Sequence, residues 1–208
     1  MEQDIIRKSI RKYKTTLFFK RVVDLLVSLL LCIALFVPCL VIGIVIKLQD
    51  GGKVFFVQDR VGRNGHVFKI IKFRTMREGS EKEEKKLLKK SKNGFVQIKE
   101  DPRVTEFGRF LRKTSFDEIP QLLNVLKGDM SLIGPRPFIT IETDMLSESE
   151  QQRNLVYPGL TGLAQLKGRS QLNIHEVVKI DMEYITTYTL LLDLKIFFST
   201  VFVVLKGI

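Results

Sequence analysis

The 208-residue sequence contains little cysteine and histidine, with two residues of each. Cys32 and Cys39 lie within the most apolar stretch, which is typical of small hydrophobic side chains in a reduced protein rather than of a disulfide or a metal site. His66 and His175 are far apart, no Cys/His ligand pattern joins them, and both are interpreted as structural or surface residues. The sequence also lacks a Gly-rich nucleotide loop and a Ser-His-Asp set. Zinc chemistry and triad-type hydrolysis are therefore not indicated.

Acidic residues are outnumbered by basic ones, 23 against 34, which gives a net charge of +11. Such a basic chain favours an anionic partner, and nucleic acid, anionic lipid and phosphorylated small molecules all meet this condition. The length allows one domain.

The longest run without a charged residue extends from residue 25 to residue 46. A helix of about 22 residues covers about 33 Å, enough to cross a hydrocarbon core. The run is too long for a cleavable signal, and no small-residue cleavage site follows it. Pro38 lies near its middle, where a proline removes one backbone hydrogen bond and kinks the helix.

Both flanks of this run are basic, with seven Lys or Arg in residues 1–21 and eight in residues 47–77. Positively charged flanks stay on the cytoplasmic side of a membrane, so a simple crossing cannot satisfy both. A helix that enters, bends at Pro38 and returns would satisfy both. An ordinary anchor with the N-terminus outside is the alternative, and charge and proline alone leave the two open.

The remaining pattern predicts short elements. Two strands are expected at 54–58 and 67–73, joined by a link that contains the strong turn signal Asn64-Gly65. A charged tract at 78–93 is interpreted as a solvated helix or mobile loop without chemistry. Helices are expected at 104–113, 117–127, 140–155, 175–188 and 190–205, with a Gly-rich loop that contains short extended pieces at 157–169. The last helix is apolar but short for a span, so we expect it to pack or to lie in the membrane interface.

The most informative stretch is 114–123, which places Asp117 and Glu118 at the start of the amphipathic helix 117–127. The N-terminus of a helix offers free N–H groups and a positive dipole end, which suit an anionic nucleophile, a divalent cation and a phosphate. An acidic first turn is also typical of plain helix capping.

Nearby residues supply what phosphoryl transfer needs. A carboxylate can attack phosphorus and form an acyl phosphate, provided that positive charge offsets the repulsion. Arg112 precedes Asp117 by five residues, and Arg136 stands between Pro135 and Pro137 in a rigid turn. Glu118 suits Mg²⁺, which prefers carboxylate and phosphate oxygens. Composition and spacing name no substrate.

At these residues the chain resembles the monotopic polyprenyl-phosphate phosphoglycosyl transferases of the bacterial sugar transferase family. The resemblance runs from about residue 19 to the C-terminus, and the order and spacing of its strings are together highly specific. The strings are Lys-Arg-Val-Val-Asp (20–24), Lys-Phe-Arg-Thr-Met (72–76), Asp-Glu-Ile-Pro-Gln-Leu-Leu-Asn (117–124), Leu-Lys-Gly-Asp-Met-Ser (126–131), Gly-Pro-Arg-Pro (134–137) and Pro-Gly-Leu-Thr-Gly (158–162).

The resemblance implies an enzyme that transfers a phospho-sugar from a UDP-sugar to undecaprenyl phosphate and releases UMP, as the start of a cell-surface glycan. It implies a ping-pong reaction in which Asp117 is the nucleophile and Glu118, with Asp117, holds Mg²⁺. Substrate contacts are implied for Arg112, for Pro135, Arg136 and Pro137, for Arg169 and Asp181, and, near the lipid phosphate, for Lys20, Arg21 and Asp24.

The implied fold is α+β and mostly helical, with a short β-hairpin, a re-entrant membrane helix broken at Pro38 and interfacial amphipathic helices. The chain is expected to form a single domain over 1–208, divided into a basic segment 1–24, the membrane helix 25–46 and a catalytic part 47–208. The expected place is the cytoplasmic face of the bacterial inner membrane. Membrane lipid is an expected partner, a homo-oligomer is allowed, and nucleic acid is not expected.

Two positions depart from the family pattern: Val37 stands where some members have serine, and Tyr157 where some have arginine. A catalytically inactive membrane scaffold of the same fold and a membrane-tethered nucleic-acid binder are the alternatives. Release of UMP from a UDP-sugar separates the three hypotheses. No motif indicates the sugar.

Overall fold

The computed structural model describes residues 2–80, 101–168 and 172–206. Almost all of the charged tract 78–93 therefore lies outside the described residues, and so does Arg169.

Two helices form the N-terminal part of the chain: α1 spans Glu2–Ala34 and α2 spans Phe36–Asp50. Pro38 has no N–H to donate to the Ala34 carbonyl and its ring crowds that oxygen, so the helix breaks at this point. The two axes meet at 60°, which confirms the predicted bend. Residues 2–24 of the basic segment lie within α1.

No single helix in the described part of the chain has the length and apolar composition of a membrane span. Helix α1 from Ile6 and helix α2 meet that test together, as a bent pair. Large apolar side chains remain more than half exposed on both sides of the bend: Leu30, Ile33, Phe36, Val37, Leu40 and Val41.

A β-hairpin follows, with β1 at Phe55–Val61 paired antiparallel to β2 at Val67–Phe73. Its tight turn contains Asn64 and Gly65, both with positive φ, as the turn signal predicted. Strand β1 is longer than the predicted 54–58, because the alternation of outward and inward side chains continues through charged residues to the buried Val61. The Val61 N–H also donates to the Phe138 carbonyl at 2.8 Å, which ties the hairpin to the residue after the Pro-Arg-Pro turn.

The predicted helix 117–127 is a 3₁₀ segment followed by a short α-helix. Before it, helix α3, Glu106–Thr114, ends at Ser115, whose left-handed φ of 58° turns the chain. A 3₁₀ segment, Phe116–Gln121, then leads into α4, Leu122–Lys127. Pro120 cannot donate a backbone hydrogen bond, so regular α-helical bonding starts after it.

A two-stranded parallel sheet that the sequence did not predict holds the Gly-Pro-Arg-Pro turn. Strand β3, Ser131–Ile133, pairs with β4, Gly159–Thr161. The approach is so close that a Cβ on Gly159 would lie 2.1 Å from the Gly134 nitrogen, which requires glycine there. The turn at 134–137 is therefore fixed against the Gly-rich loop.

The C-terminal part is helical. The predicted helix 140–155 is instead α5, Thr140–Asp144, and a 3₁₀ segment, Glu150–Leu155. Ser147 interrupts it, because its N–H and hydroxyl both bond the Glu150 carboxylate, a local bond that competes with helix. The remaining helices are α6, Leu163–Lys167, α7, Ile174–Thr186, and α8, Leu190–Lys206.

One main cluster of buried side chains joins the helices to the hairpin. Tyr13 of α1 packs edge to face on Tyr188, with ring centroids 4.9 Å apart. Other members come from both sheets and from three more helices: Phe68, Ile70, Leu132, Val125, Tyr184 and Ile196. The first half of α1 is therefore part of the core.

Candidate active site

Asp117 and Glu118 lie on the 3₁₀ segment, facing the end of β2. The Lys72 Nζ atom lies 2.6 Å from Glu118 Oε1, and the two side chains are 17% and 31% exposed. Because the carboxylates start a short 3₁₀ segment, few aligned peptide dipoles act on them. The sequence-based argument from a helix dipole is corrected here: the positive charge comes from side chains.

The two carboxylates titrate differently. Burial, and then the charge of Glu118, raise the pKa of Asp117 to about 6, although Lys72 and Arg112 oppose the shift. Burial also acts to raise the pKa of Glu118, but the charges of Lys72 and Arg136 outweigh it and the net pKa is lowered. Near neutral pH, Glu118 is a fixed anion and Asp117 is an anion of raised basicity.

Arg112 reaches this pair from the last turn of α3. Its Nε atom donates to the Thr75 hydroxyl at 2.9 Å, and the Thr75 carbonyl accepts from the Thr105 N–H at the start of the same helix. These two bonds hold helix α3 against the residues that follow β2. The positive charge of Arg112 acts to lower the pKa of Asp117. The role of Arg112 at the substrate phosphates stays a prediction.

Arg136 is exposed between two buried prolines, and its charge lowers the pKa of Glu118. The turn's carbonyls all have donors from other elements. Pro135 accepts from the Gly159 N–H at 2.9 Å, Arg136 from Arg153 Nη2 at 2.6 Å and Pro137 from Arg60 Nη1 at 3.1 Å. The structure therefore brings Asp117, Glu118, Arg112 and the Pro-Arg-Pro turn together.

Three basic residues around the site were missed by the sequence reasoning. Lys72 belongs to the string 72–76, but nothing in the string marks its partner. Arg60 was assigned to the link between strands, whereas it lies in β1 and its charge acts on Glu118. No sequence signal marked Arg153 as part of the site, because it lies in a polar stretch for which only a helix was predicted.

The residues expected near a lipid phosphate have protein partners instead. Lys20 Nζ, in a side chain 3% exposed, contacts Asp193 Oδ2 at 2.6 Å and the Ile133 carbonyl at 2.9 Å. Asp24 accepts from the Leu132 N–H at 3.1 Å, and Arg21 donates to the carbonyls of Met130 and Leu126. In this structure they fasten α1 to β3 and to the end of α4, because a charge buried beside an apolar helix needs a partner.

Asp181 is also placed differently from the expected substrate contact. It is 1% exposed, and its Oδ2 atom accepts two hydrogen bonds from Arg153. Burial raises its pKa, and the charge of Arg153 acts against that shift. Asp181 thus lies beneath the Pro-Arg-Pro turn, not on its exposed face.

The donor set for a metal is small. The described residues include no group of three or more His, Cys, Asp or Glu side chains placed to hold an ion. Mg²⁺, however, commonly takes one or two carboxylates and completes its shell with substrate phosphates and water. Lys72 bonds one oxygen of Glu118, and a carboxylate has two. Asp117 and Glu118 therefore fit a Mg²⁺ ion that arrives with a phosphate-bearing substrate.

Two adjacent carboxylates and several cations around an exposed arginine suit a phosphoryl-transfer enzyme. The chain belongs to the bacterial sugar transferase family, whose model matches residues 15–207. The resemblance seen in its motifs is thereby confirmed.

Curated relatives agree with this membership. The galactosyl transferase CpsE of Streptococcus agalactiae is 41% identical over 213 residues, which cover 98% of this chain and 46% of that protein. The exopolysaccharide production protein ExoY of Sinorhizobium fredii is 38% identical over 188 residues, covering 88% and 83%. The UDP-glucose:undecaprenyl-phosphate glucose-1-phosphate transferase of Escherichia coli is 37% identical over 191 residues, covering 88% and 39%. The chain thus spans less than half of two of these relatives and most of ExoY.

Proposed function

We propose that this protein transfers a phospho-sugar from a UDP-sugar to undecaprenyl phosphate, giving a polyprenyl-diphosphate sugar and UMP, and so initiates a cell-surface glycan. The observation that carries the proposal is the pair of adjacent carboxylates, Asp117 and Glu118. Lys72 Nζ lies 2.6 Å from Glu118 Oε1, and the charges of Arg112 and Arg136 also act on the pair. Family membership and the activity for which the Escherichia coli relative is named support the choice of substrates.

In the first half-reaction, the Asp117 carboxylate attacks the phosphorus that carries the sugar. A bond forms from its oxygen to phosphorus, the bridging P–O bond of the diphosphate breaks, and UMP leaves with that oxygen. In the second half-reaction, a phosphate oxygen of undecaprenyl phosphate attacks the same phosphorus, and the Asp117 carboxylate is released. The raised pKa of Asp117 suits a nucleophile, because basicity and nucleophilicity rise together.

The surrounding cations reduce the charge repulsion between the nucleophile and the donor. Lys72 and Arg112 offset the repulsion between the attacking carboxylate and the diphosphate, and Arg136 projects from a rigid turn as the donor-binding side chain. Mg²⁺, held by Glu118 with Asp117, would supply further neutralisation of the diphosphate. All of these groups lie on elements fixed before substrate arrives, so the site is preorganised.

The proposed location follows from the bent helix pair. Exposed apolar side chains on both sides of the break suit a helix that enters the bilayer and returns, and both basic flanks then remain on the cytoplasmic face. Membrane lipid is the partner of this surface. The proposed site is consequently at the cytoplasmic face, where UDP-sugars are available.

The function is tested by UMP release from UDP-sugars mixed with the purified protein, undecaprenyl phosphate and Mg²⁺. We expect release by the wild type and none by Asp117→Asn. Asp59→Asn is the matched control, because Asp59 is an exposed carboxylate on β1 paired only with Lys69 in the described contacts. No release with any UDP-sugar would favour the inactive scaffold, and full activity of Asp117→Asn would refute the assigned site.

A further inference from the structure

Arg153 is the largest fully buried side chain among the described residues, although arginine is rarely buried. Its Nε and Nη2 atoms donate to Asp181 Oδ2 at 2.9 and 2.7 Å. Its guanidinium carbon lies 3.6 Å from the centre of the Phe138 ring. The charge is thus paired, hydrogen-bonded and covered by an aromatic face.

A buried ion pair is weak evidence for stability, because apolar residues of the same volume often stabilise a core equally well. The third contact of this arginine is more specific. Nη2 also donates to the Arg136 carbonyl at 2.6 Å. Nη2 therefore joins the Asp181 carboxylate to the Arg136 carbonyl, and the second bond from Nε to the carboxylate fixes the plane of the guanidinium.

The backbone of the Pro-Arg-Pro turn depends on hydrogen bonds of this kind. Its prolines have no N–H groups, so the turn is fastened through its carbonyl oxygens. The Gly159 N–H donates to the Pro135 carbonyl. The Arg153 guanidinium donates to the second carbonyl, that of Arg136, and the Arg60 guanidinium donates to that of Pro137. The second carbonyl belongs to Arg136 itself, so its position sets where that side chain leaves the turn.

We propose that Arg153, oriented by Asp181, is a positioning residue that fixes the backbone of Arg136 so that the exposed guanidinium meets the phosphates of the donor. This inference rests on the proposed function, in which Arg136 binds the donor. Arg153 itself is buried and does not touch substrate.

The experiment is a double-mutant cycle on UMP release, with kcat and KM for the UDP-sugar measured separately. Arg153→Lys keeps the charge but loses the fork, and should reduce kcat/KM by roughly 10- to 100-fold, as expected for a small displacement of a binding group. Arg136→Ala should reduce it by about 100-fold. Because Arg153 acts through Arg136, Arg136→Ala/Arg153→Lys should be within about twofold of Arg136→Ala alone.

Glu183→Gln is the matched control, since it removes an exposed carboxylate of α7, two residues from Asp181, that pairs with Lys167. It should match wild type. Melting temperatures identify the variants that fold. If Arg153→Lys does not fold, the same cycle uses Asp181→Asn, which keeps the shape of the side chain but removes the carboxylate that orients Arg153.

Additive losses in the cycle, or an Asp181→Asn or Arg153→Lys variant that folds and keeps wild-type kcat/KM, would overturn the positioning role. An Arg136→Ala variant with full activity would instead refute the donor role of Arg136. The two failures are therefore distinguishable.

Discussion

At the scale of single residues, Asp117 and Glu118 show how neighbours acquire different chemistry. On a 3₁₀ segment successive side chains point about 120° apart, so the two carboxylates meet different surroundings. Glu118 accepts a hydrogen bond from Lys72 and its pKa is lowered, whereas burial and the charge of Glu118 raise the pKa of Asp117 to about 6. Pairs of acids whose pKa values are separated in this way are typical of divided catalytic roles.

This difference predicts the pH dependence of the first half-reaction. The nucleophile must be ionised, so UMP release in a single turnover should rise with pH through about 6. Lys72 holds the pKa of Asp117 down, so Lys72→Met should move the midpoint upward, by roughly one pH unit. Lys69→Met is the control, because Lys69 lies on the exposed face of the same strand. An unchanged midpoint in Lys72→Met would contradict the assignment.

The metal makes a second prediction at this scale. With two carboxylates alone, the site should bind Mg²⁺ weakly until a diphosphate completes its ligands. EDTA should therefore abolish UMP release and added Mg²⁺ should restore it, and Glu118→Gln should need several-fold more Mg²⁺ for half-maximal rate. Turnover that persists in EDTA would remove the metal from the mechanism.

At the scale of elements, α1 carries exposed apolar side chains along its second half and also holds the strand that leads to Arg136. Lys20 donates to the Ile133 carbonyl and Asp24 accepts from the Leu132 N–H, so both side chains bind the backbone of β3. Helix α1 and the Pro-Arg-Pro turn are therefore connected through β3.

The ion pair between α1 and α8 should be costly to break. Lys20→Met leaves Asp193 buried without its partner and should lower the free energy of unfolding by about 3–5 kcal/mol. Lys14→Met, at an exposed position of the same helix, should change it by less than about 0.5 kcal/mol. Thermal unfolding of both variants in detergent measures the difference. Equal melting temperatures would show that the buried pair contributes nothing.

The bend makes a topological prediction. In cells whose protein has Cys32 and Cys39 replaced by alanine, neither Lys8→Cys nor His66→Cys should react with an impermeant thiol reagent added outside. Adding Pro38→Leu should favour a straight helix, since an unbroken helix satisfies its own backbone in lipid, and Lys8→Cys should then become labelled. Labelling of Lys8→Cys with Pro38 intact would refute the re-entrant arrangement.

At the scale of the whole molecule, the sequence predicted features that depend on neighbours in the chain. Asn64-Gly65 marked the hairpin and Pro38 marked the bend, because each acts on its own backbone. The contacts of Lys72, Arg60 and Arg153 depend on how distant elements meet, and no local pattern encodes them. Strand β3 was missed because three residues are too few for an alternation to show. Short extended pieces were expected in the loop that contains β4, but its pairing with β3 depends on the fold.

The candidate site likewise combines residues that a motif marks with contacts that only the fold shows. Motifs identified Asp117, Glu118 and Arg136, and the structure brings them together. Motifs also marked Lys20, Asp24 and Asp181 as substrate contacts, but a string of residues does not distinguish a group that faces substrate from one that holds the backbone beneath it. Burial with a protein partner makes that distinction.

The central claim is that Asp117 forms a covalent phospho-sugar adduct, and the mass of the intact protein tests it most directly. The protein is incubated with UDP-sugar and Mg²⁺ without undecaprenyl phosphate, and Asp117→Asn and Asp59→Asn are treated in parallel. We expect a mass gain of one phospho-sugar, with one equivalent of UMP, in wild type and Asp59→Asn, and no gain in Asp117→Asn. A gain that persists in Asp117→Asn, or UMP release that strictly requires undecaprenyl phosphate, would contradict it and favour direct transfer in a ternary complex.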